Sequence, residues 1–232
     1  MASLNKSKIV QVSFPESQYY KTEHSKRQIV LHHTASGRGV DGDFRHWLTT
    51  PERVATCVII AEDGMIHQCF SSKFWGHHIG CKLDVFSKNK IPFMYRTKAD
   101  GTKYVANNEI LNQQAIGIEI DNWGGLTKKG NDWVSYTGAI VPKEQVVEYE
   151  TPFRGFKAFQ KYTNAQIEST VMLLKYWSEI YGIPLHYNED MWDVSPAALR
   201  GDKGVWTHTS YRYDKSDCHP QKELINALKS LV

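Results

Sequence analysis

The sequence predicts an α/β fold: a single domain with a central mixed β-sheet flanked by helices and carrying long loop insertions. Three observations predict it. Short apolar runs at Gln28-Ile29-Val30-Leu31, Ala115-Ile116-Gly117-Ile118 and Gly204-Val205-Trp206 have the length and composition of buried strands. Residues 164–181 carry apolar side chains at helical spacing. Strands mixed with packing helices imply a sheet that helices cover. At 232 residues with 41% hydrophobic content the chain can bury one sizeable core. We expect one domain over 1–232, with its core at about 28–228.

Taken in order, the first strand runs from Gln28 into His32-His33-Thr34, so its polar end offers a ligand. Val54 to Ile60 is mostly apolar and β-branched, Asp63-Gly64 is a hairpin turn pair, and Met65 to Phe70 can return as the partner strand. In Ala115 to Asp121 alternate side chains share a face. Glu119 and Asp121 fall on one face, expected to be wet, and Ile116, Ile118 and Ile120 on the other. Thr163 and Gln166 have capping-box spacing, and Ile167, Val171, Leu174 and Tyr181 continue the stripe of the 164–181 helix. Gly204 to Thr207 reads as a strand ending at His208. The last helix is expected to open near Pro220, with Leu224, Ile225, Leu228 and Leu231 on one face. Two segments, about 81–114 and 123–161, show little periodicity and are expected as loop insertions that frame the site. No internal repeat and no Gly/Ser or Pro linker divides the chain.

Charge narrows the function. The chain has 28 basic and 25 acidic residues, a net +3, too balanced for a dedicated nucleic-acid surface. It has no long apolar run, and the start, Met1 to Lys8, lacks the apolar stretch of a secretion signal. The expectation is a protein that is cytoplasmic when synthesised, a monomer without stable membrane association. The four cysteines are scattered without CxxC spacing, which argues for reduced thiols and against a zinc ribbon or a disulfide framework. Twelve tyrosines, seven tryptophans and nine phenylalanines would serve a sugar-binding groove or a large core equally.

A zinc hydrolase needs about three protein ligands and an open position for water. Ten histidines are present, so context must choose among them. The context is Leu31-His32-His33-Thr34-Ala35-Ser36, then Asp63-Gly64, Trp75-Gly76-His77-His78-Ile79-Gly80, Ile116-Gly117-Ile118-Glu119, Gly204-Val205-Trp206-Thr207-His208 and Lys215-Ser216-Asp217. In this order the motifs resemble the zinc-dependent N-acetylmuramoyl-L-alanine amidases of type 2, a family that includes phage lysozyme-like amidases and peptidoglycan recognition proteins. The resemblance runs from about residue 28 to 228. It implies a Zn2+ cofactor held by His32 and His208, with His186 as the runner-up for the second position. Family members supply the third ligand as Asp in Lys-x-Asp-Pro or as Cys in Cys-Pro, and this chain has Lys215-Ser216-Asp217-Cys218-His219-Pro220. Carboxylate and thiolate both bind zinc. The intact Lys-x-Asp spacing favours Asp217, with Cys218 as the alternative. His33, one residue from His32 on a strand, should face the other way.

The resemblance also implies roles outside the metal. Glu119 would be the proton-transferring carboxylate, with Asp121 as its rival. Lys215, two residues before Asp217 in an extended segment, would point to the same side and steady an oxyanion. His78 would lie near the substrate and Trp75 would offer a stacking surface. Where some members carry a tyrosine in the hairpin's first strand, this chain has Thr56. The run Pro152-Phe153-Arg154-Gly155-Phe156 suits a glycan strand with anionic peptides, or a folded turn. The implied function is hydrolysis of the amide between N-acetylmuramic acid and L-alanine in peptidoglycan, as a phage endolysin. The alternatives are a recognition module that binds muropeptides without cleaving them and a cytosolic amidase acting on recycled wall fragments.

Overall fold

The computed structural model describes residues 5–37 and 39–231; Met1 to Leu4, half of the stretch read for a secretion signal, lie outside them. The chain begins with an edge strand, β1 (Ile9–Gln11), and enters the interior of the sheet at β2 (Gln28–His33). Helix α1 (Asp41–Thr49) leads to the hairpin of β3 (Val58–Ile60) and β4 (Ile66–Gln68). Next come α2 (Leu83–Lys88), a ribbon of β5 (Tyr95–Thr97) and β6 (Lys103–Val105), α3 (Asn107–Gln114) and β7 (Ala115–Ile120). Five strands follow: β8 (Gly125–Lys129), β9 (Asp132–Val134), β10 (Ile140–Val141), β11 (Val146–Phe153) and β12 (Phe156–Gln160). The long helix α4 (Asn164–Tyr181), then α5 (Pro196–Leu199), β13 (Gly204–Thr207) and α6 (Lys222–Lys229), complete the chain.

The main sheet has the order β1-β4-β3-β7-β2-β13. Strands β13, β2, β7 and β3 run parallel, β3 and β4 pair antiparallel, and β1 lies parallel to β4. Every residue of β2 and β7 is buried. A strand covered on both faces reads as a continuous apolar run, which is why these two are visible in sequence. Their register pairs Gln28 with Ala115 through His33 with Ile120. Side chains alternate, so Ile29 and Leu31 share a face with Ile116 and Ile118, all at most 2% exposed. Each contributes about 1.5–3 kcal/mol through burial.

Helix α4 packs against β3 and α6. Its capping box is formed as the spacing predicts: Thr163 Oγ1 accepts from Gln166 N at 3.1 Å, and Gln166 Oε1 accepts from Thr163 N at 3.0 Å. Gln166 Nε2 also donates to the Asp121 carbonyl at 2.7 Å, fastening the helix to the end of β7. At its other end Gly182 takes the left-handed conformation (φ 60°) of a helix C-cap.

Three expectations change. The 123–161 segment is a second, five-stranded antiparallel sheet in the order β10-β9-β8-β12-β11, with a small core of Leu126, Trp133, Val141, Val146 and Ala158. Several of its strands are only two or three residues long and much of its surface is exposed, so little hydrophobic period survives in the sequence. The 81–114 segment holds α2, α3 and the β5–β6 ribbon. The last helix starts at Lys222, with Pro220 in its approach. All four cysteines are free and buried. Among the described residues no helix is long and apolar enough to cross a membrane.

Candidate metal centre

The parallel ladder brings the first two groups together. His32 is the register partner of Glu119, so both side chains leave the sheet on the same face. On the other side of β2, strand β13 ends at Thr207 and the chain turns at once through a single 3-10 turn, His208–Ser210. This leaves the His208 ring 4.5 Å from that of His32, centroid to centroid. Asp217 reaches both from an irregular segment: its Oδ2 lies 3.2 Å from His32 Nδ1 and 2.8 Å from His208 Nδ1. Thr209 N donates to the Asp217 carbonyl at 3.1 Å and ties the two segments together. His32, His208 and Asp217 are buried, with their donor atoms within 4.8 Å of one another.

The far side of each ring is also held. His208 Nε2 donates to the Ile79 carbonyl at 2.8 Å, and His32 Nε2 lies 3.0 Å from His78 Nδ1. A carbonyl only accepts, so His208 Nε2 carries a proton, and its Nδ1 faces the carboxylate. Two imidazole nitrogens and a carboxylate oxygen converging in a buried spot need protons or a cation between them. Outer hydrogen bonds of this kind orient metal-bound histidines.

Charge states suit a cation. Burial, then the charge on His208, lowers His32 to about 4, so its ring is neutral near pH 7. Burial would raise Asp217, but the His208 charge and hydrogen bonds from both histidines outweigh it and hold the carboxyl well below the usual range. His32 as neutral imidazole and Asp217 as ionised carboxylate are in the forms a metal takes as ligands, and a metal would displace the proton that His208 shares with Asp217. Glu119 is opposite in behaviour. Burial first, then the charges of Asp217 and Asp43, push it well above the usual carboxylate range against the pull of Lys215. The face that carries it is not wet, since Glu119 is 9% exposed.

These groups line one cleft of about 290 Å³ that also takes in Lys215 and His78. Thr56 lies on its wall. The Thr56 hydroxyl donates to the Val58 carbonyl at 2.9 Å, and its methyl packs against Gly117. A Cβ at position 117 would stand 2.6 Å from that methyl and 3.2 Å from the His78 ring, so only glycine allows the approach.

Other predicted residues stand outside the donor group. Trp75 is buried with its indole stacked on Tyr20 at 3.9 Å and Nε1 donating to Thr22, so it lines no part of the cleft. Its apolar bulk is used in packing. Cys218 is fully buried, with its thiol against the Tyr162 hydroxyl, and stands outside the donor group. The step from Asp217 to Cys218 sends adjacent side chains to different surroundings. His33 also borders the cleft, but its Nδ1 turns away from His32 to meet the Tyr162 hydroxyl at 2.8 Å. His186 is exposed and outside the cleft. Asp121 lies past the end of β7, where it accepts from Gly39 N at 2.9 Å. Pro152 to Phe156 is the β11–β12 turn, whose Arg154 binds protein carbonyls.

Sequence reasoning missed Arg212 and Trp47 on the cleft wall, and the buried pair Tyr162 and His219 behind it. His219 had one signal, its place between Cys218 and the proline of the family pattern. Tyr162 had none, because its role depends on three segments meeting.

Comparison with known proteins agrees with this architecture. A family model described as N-acetylmuramoyl-L-alanine amidase matches residues 22–221. No curated protein matches the chain. Among solved structures, PlyL is similar with 13% identity and a TM-score of 0.51, covering 97% of this chain and 98% of its own. The endolysin N-acetylmuramoyl-L-alanine amidase LysCS from Clostridium intestinale URNW shows 14% identity and a TM-score of 0.47, over 98% of this chain and 97% of its own. At such identities the PlyL likeness is one of fold.

Proposed function

The chain belongs to the N-acetylmuramoyl-L-alanine amidase family, and from that premise we propose how its own residues carry out the reaction. The enzyme hydrolyses the amide bond between N-acetylmuramic acid and L-alanine in peptidoglycan. The observation that carries our reading of the site is the meeting of His32, His208 and Asp217 at one buried point beside Glu119.

His32 and His208, through their Nδ1 atoms, and Asp217, through a carboxylate oxygen, would hold Zn2+; two imidazoles and one carboxylate are a donor set of catalytic zinc sites. When bound, zinc polarises the scissile carbonyl and makes water easier to deprotonate. Glu119 is the group that takes the proton of the attacking water and returns it to the departing amine of L-alanine. Its buried surroundings raise its carboxyl, which makes the carboxylate a stronger base. Lys215 borders the cleft from the same segment as Asp217, and its ammonium would offset the negative charge that builds on the carbonyl oxygen. His78 and the Ile79 carbonyl hold the two histidine rings in orientation.

We read the protein as a monomeric, endolysin-type amidase that attacks the wall polymer, in keeping with the resemblance of its motifs to phage amidases. The complete donor set favours an enzyme over a recognition module, which would bind muropeptides and leave them intact. The purified protein, incubated with intact peptidoglycan sacculi and separately with soluble muropeptides, should release stem peptides with a new N-terminal alanine, detected by mass spectrometry. Release from sacculi supports the lytic role, and release from fragments alone supports recycling. His32→Ala and His208→Ala should lose both zinc and activity. Retained activity in folded, zinc-free variants would overturn the metal assignment.

A further inference from the structure

The second sheet sends one hairpin, β11–β12, toward the two segments that bear His208 and Asp217. We propose that this hairpin is a positioning device for the two metal ligands, acting through Tyr149 and Arg154; the proposal rests on the zinc reading given above.

Tyr149 on β11 holds the segment of Asp217 through His219. His219 Nε2 lies 3.0 Å from the Gln160 carbonyl, which only accepts, so the ring proton is on Nε2. Nδ1 is then the acceptor for the Tyr149 hydroxyl at 2.7 Å. The same ring lies between Phe159 and Tyr162, at 4.5 and 4.4 Å and within 23° of parallel to each. The His219 backbone N–H donates to the Tyr162 hydroxyl at 3.1 Å. His219 is fully buried and stands two residues beyond Asp217.

Arg154, at the tip of the hairpin, holds the segment of His208. Its Nη1 donates to the Tyr213 carbonyl at 3.0 Å and its Nη2 to the Thr209 carbonyl at 3.2 Å, with Asp193 as ion partner at 2.7 Å. Its side chain is 14% exposed. Thr209 follows His208 directly, and its N–H binds the Asp217 carbonyl. His32 has the β-ladder to fix it. Asp217 lies in irregular chain and His208 in a single turn, so their placement needs an outside support. Neither Tyr149 nor Arg154 lines the cleft; Tyr149 acts through the His219 ring and Arg154 through backbone carbonyls.

The test measures zinc affinity by chelator competition on the full chain, together with the melting temperature of the metal-free protein. Tyr149→Phe keeps the ring and removes the hydroxyl; Arg154→Lys keeps the charge and removes the planar fork. Each should weaken zinc binding about tenfold or more, and activity should return at saturating zinc. Val141→Ala, which loosens the core of the second sheet away from both segments, should lower the melting temperature and leave zinc affinity unchanged. Wild-type zinc affinity in Tyr149→Phe and Arg154→Lys, or an equal loss in Val141→Ala, would overturn the proposal. Should Arg154→Lys not fold, Tyr149→Phe decides alone. Asp217→Ala separates the two readings: if it binds zinc like the wild type, the metal assignment fails; if it does not, that assignment stands whatever the hairpin variants show.

Discussion

Glu119 and His32 are paired Cα to Cα across neighbouring parallel strands, so a carboxylate and an imidazole of the candidate metal centre leave the sheet side by side. No loop intervenes between them. This rigid placement makes Glu119 the sharpest residue on which to test the chemistry.

Glu119→Gln keeps the shape of the side chain and removes its basicity. It should lower kcat by about 10²- to 10⁴-fold while leaving zinc affinity close to that of the wild type. Steady-state kinetics on a muropeptide, with zinc measured in the same samples, checks both. A variant that loses zinc as well would make Glu119 a supporting group for the ligands.

The third ligand is decided by two neighbours. Asp217→Ala should abolish tight zinc binding, since it removes a buried anionic donor from between two histidines. Cys218→Ala should retain zinc and activity, at a stability cost of about 1 kcal/mol for the lost buried sulfur. Metal analysis of the two purified proteins gives the comparison directly.

Lys215→Ala should reduce kcat by about 10²- to 10³-fold, the usual loss when one donor to an oxyanion is removed. KM should change little, because the charge it offsets is greatest in the transition state. A rise in KM alone would place Lys215 in ground-state binding of the stem peptide.

Asp121 supplies a test through pH. Burial, opposed by its bond from Gly39 and aided by the charges of Asp43 and Glu62, raises its carboxyl to about 6. A raised acid is protonated in the folded chain while already ionised in the unfolded one. Its destabilising effect therefore sets in as pH rises from about 4 to about 6 and persists above. Asp121→Asn, which keeps an acceptor for Gly39, should stabilise by about 1–2 kcal/mol above pH 7 after allowance for partial solvent screening, and should do nothing below pH ~4. Thermal melts across that range check the sign.

Gly117→Ala should cost about 1–3 kcal/mol through overpacking, because the new methyl meets the Thr56 side chain at 2.6 Å. Thr56→Ser removes the offending methyl and keeps the hydroxyl, so the double variant should recover part of the loss. Denaturant unfolding of the single and double variants measures the coupling.

What could be read from the sequence follows from how each element is stabilised. Strands β2 and β7, buried on both faces, keep an uninterrupted apolar signature, and helix α4 carries its own cap in Thr163 and Gln166. His32, Glu119 and His208 stand at or next to the ends of such strands, so their grouping could be anticipated. The second sheet could not, because its strands are short and its core is five residues of scattered position. Trp75 looked like a stacking platform because an aromatic residue near a motif carries no mark of which way it faces. Its burial against Tyr20 is a tertiary fact. Tyr149 and Tyr162 are silent for the same reason, since each acts on chain far away in sequence, and Arg154 stands in a run that reads equally as a glycan surface or a folded turn.

The three residues of the candidate metal centre differ in the depth of their backing. His32 lies on an interior strand of the six-stranded sheet, paired with Glu119 of β7, whereas Asp217 hangs from an irregular segment held by a few side-chain contacts. Local opening of a protein follows such differences, and backbone with few ladder bonds opens long before the core. Metal exchange would then proceed by brief release on the Asp217 side while the two strands behind His32 keep their amides protected against solvent hydrogen. The enzyme's tolerance of chelators is on this view set by the lifetime of one short segment, and global unfolding stability is a poor guide to it.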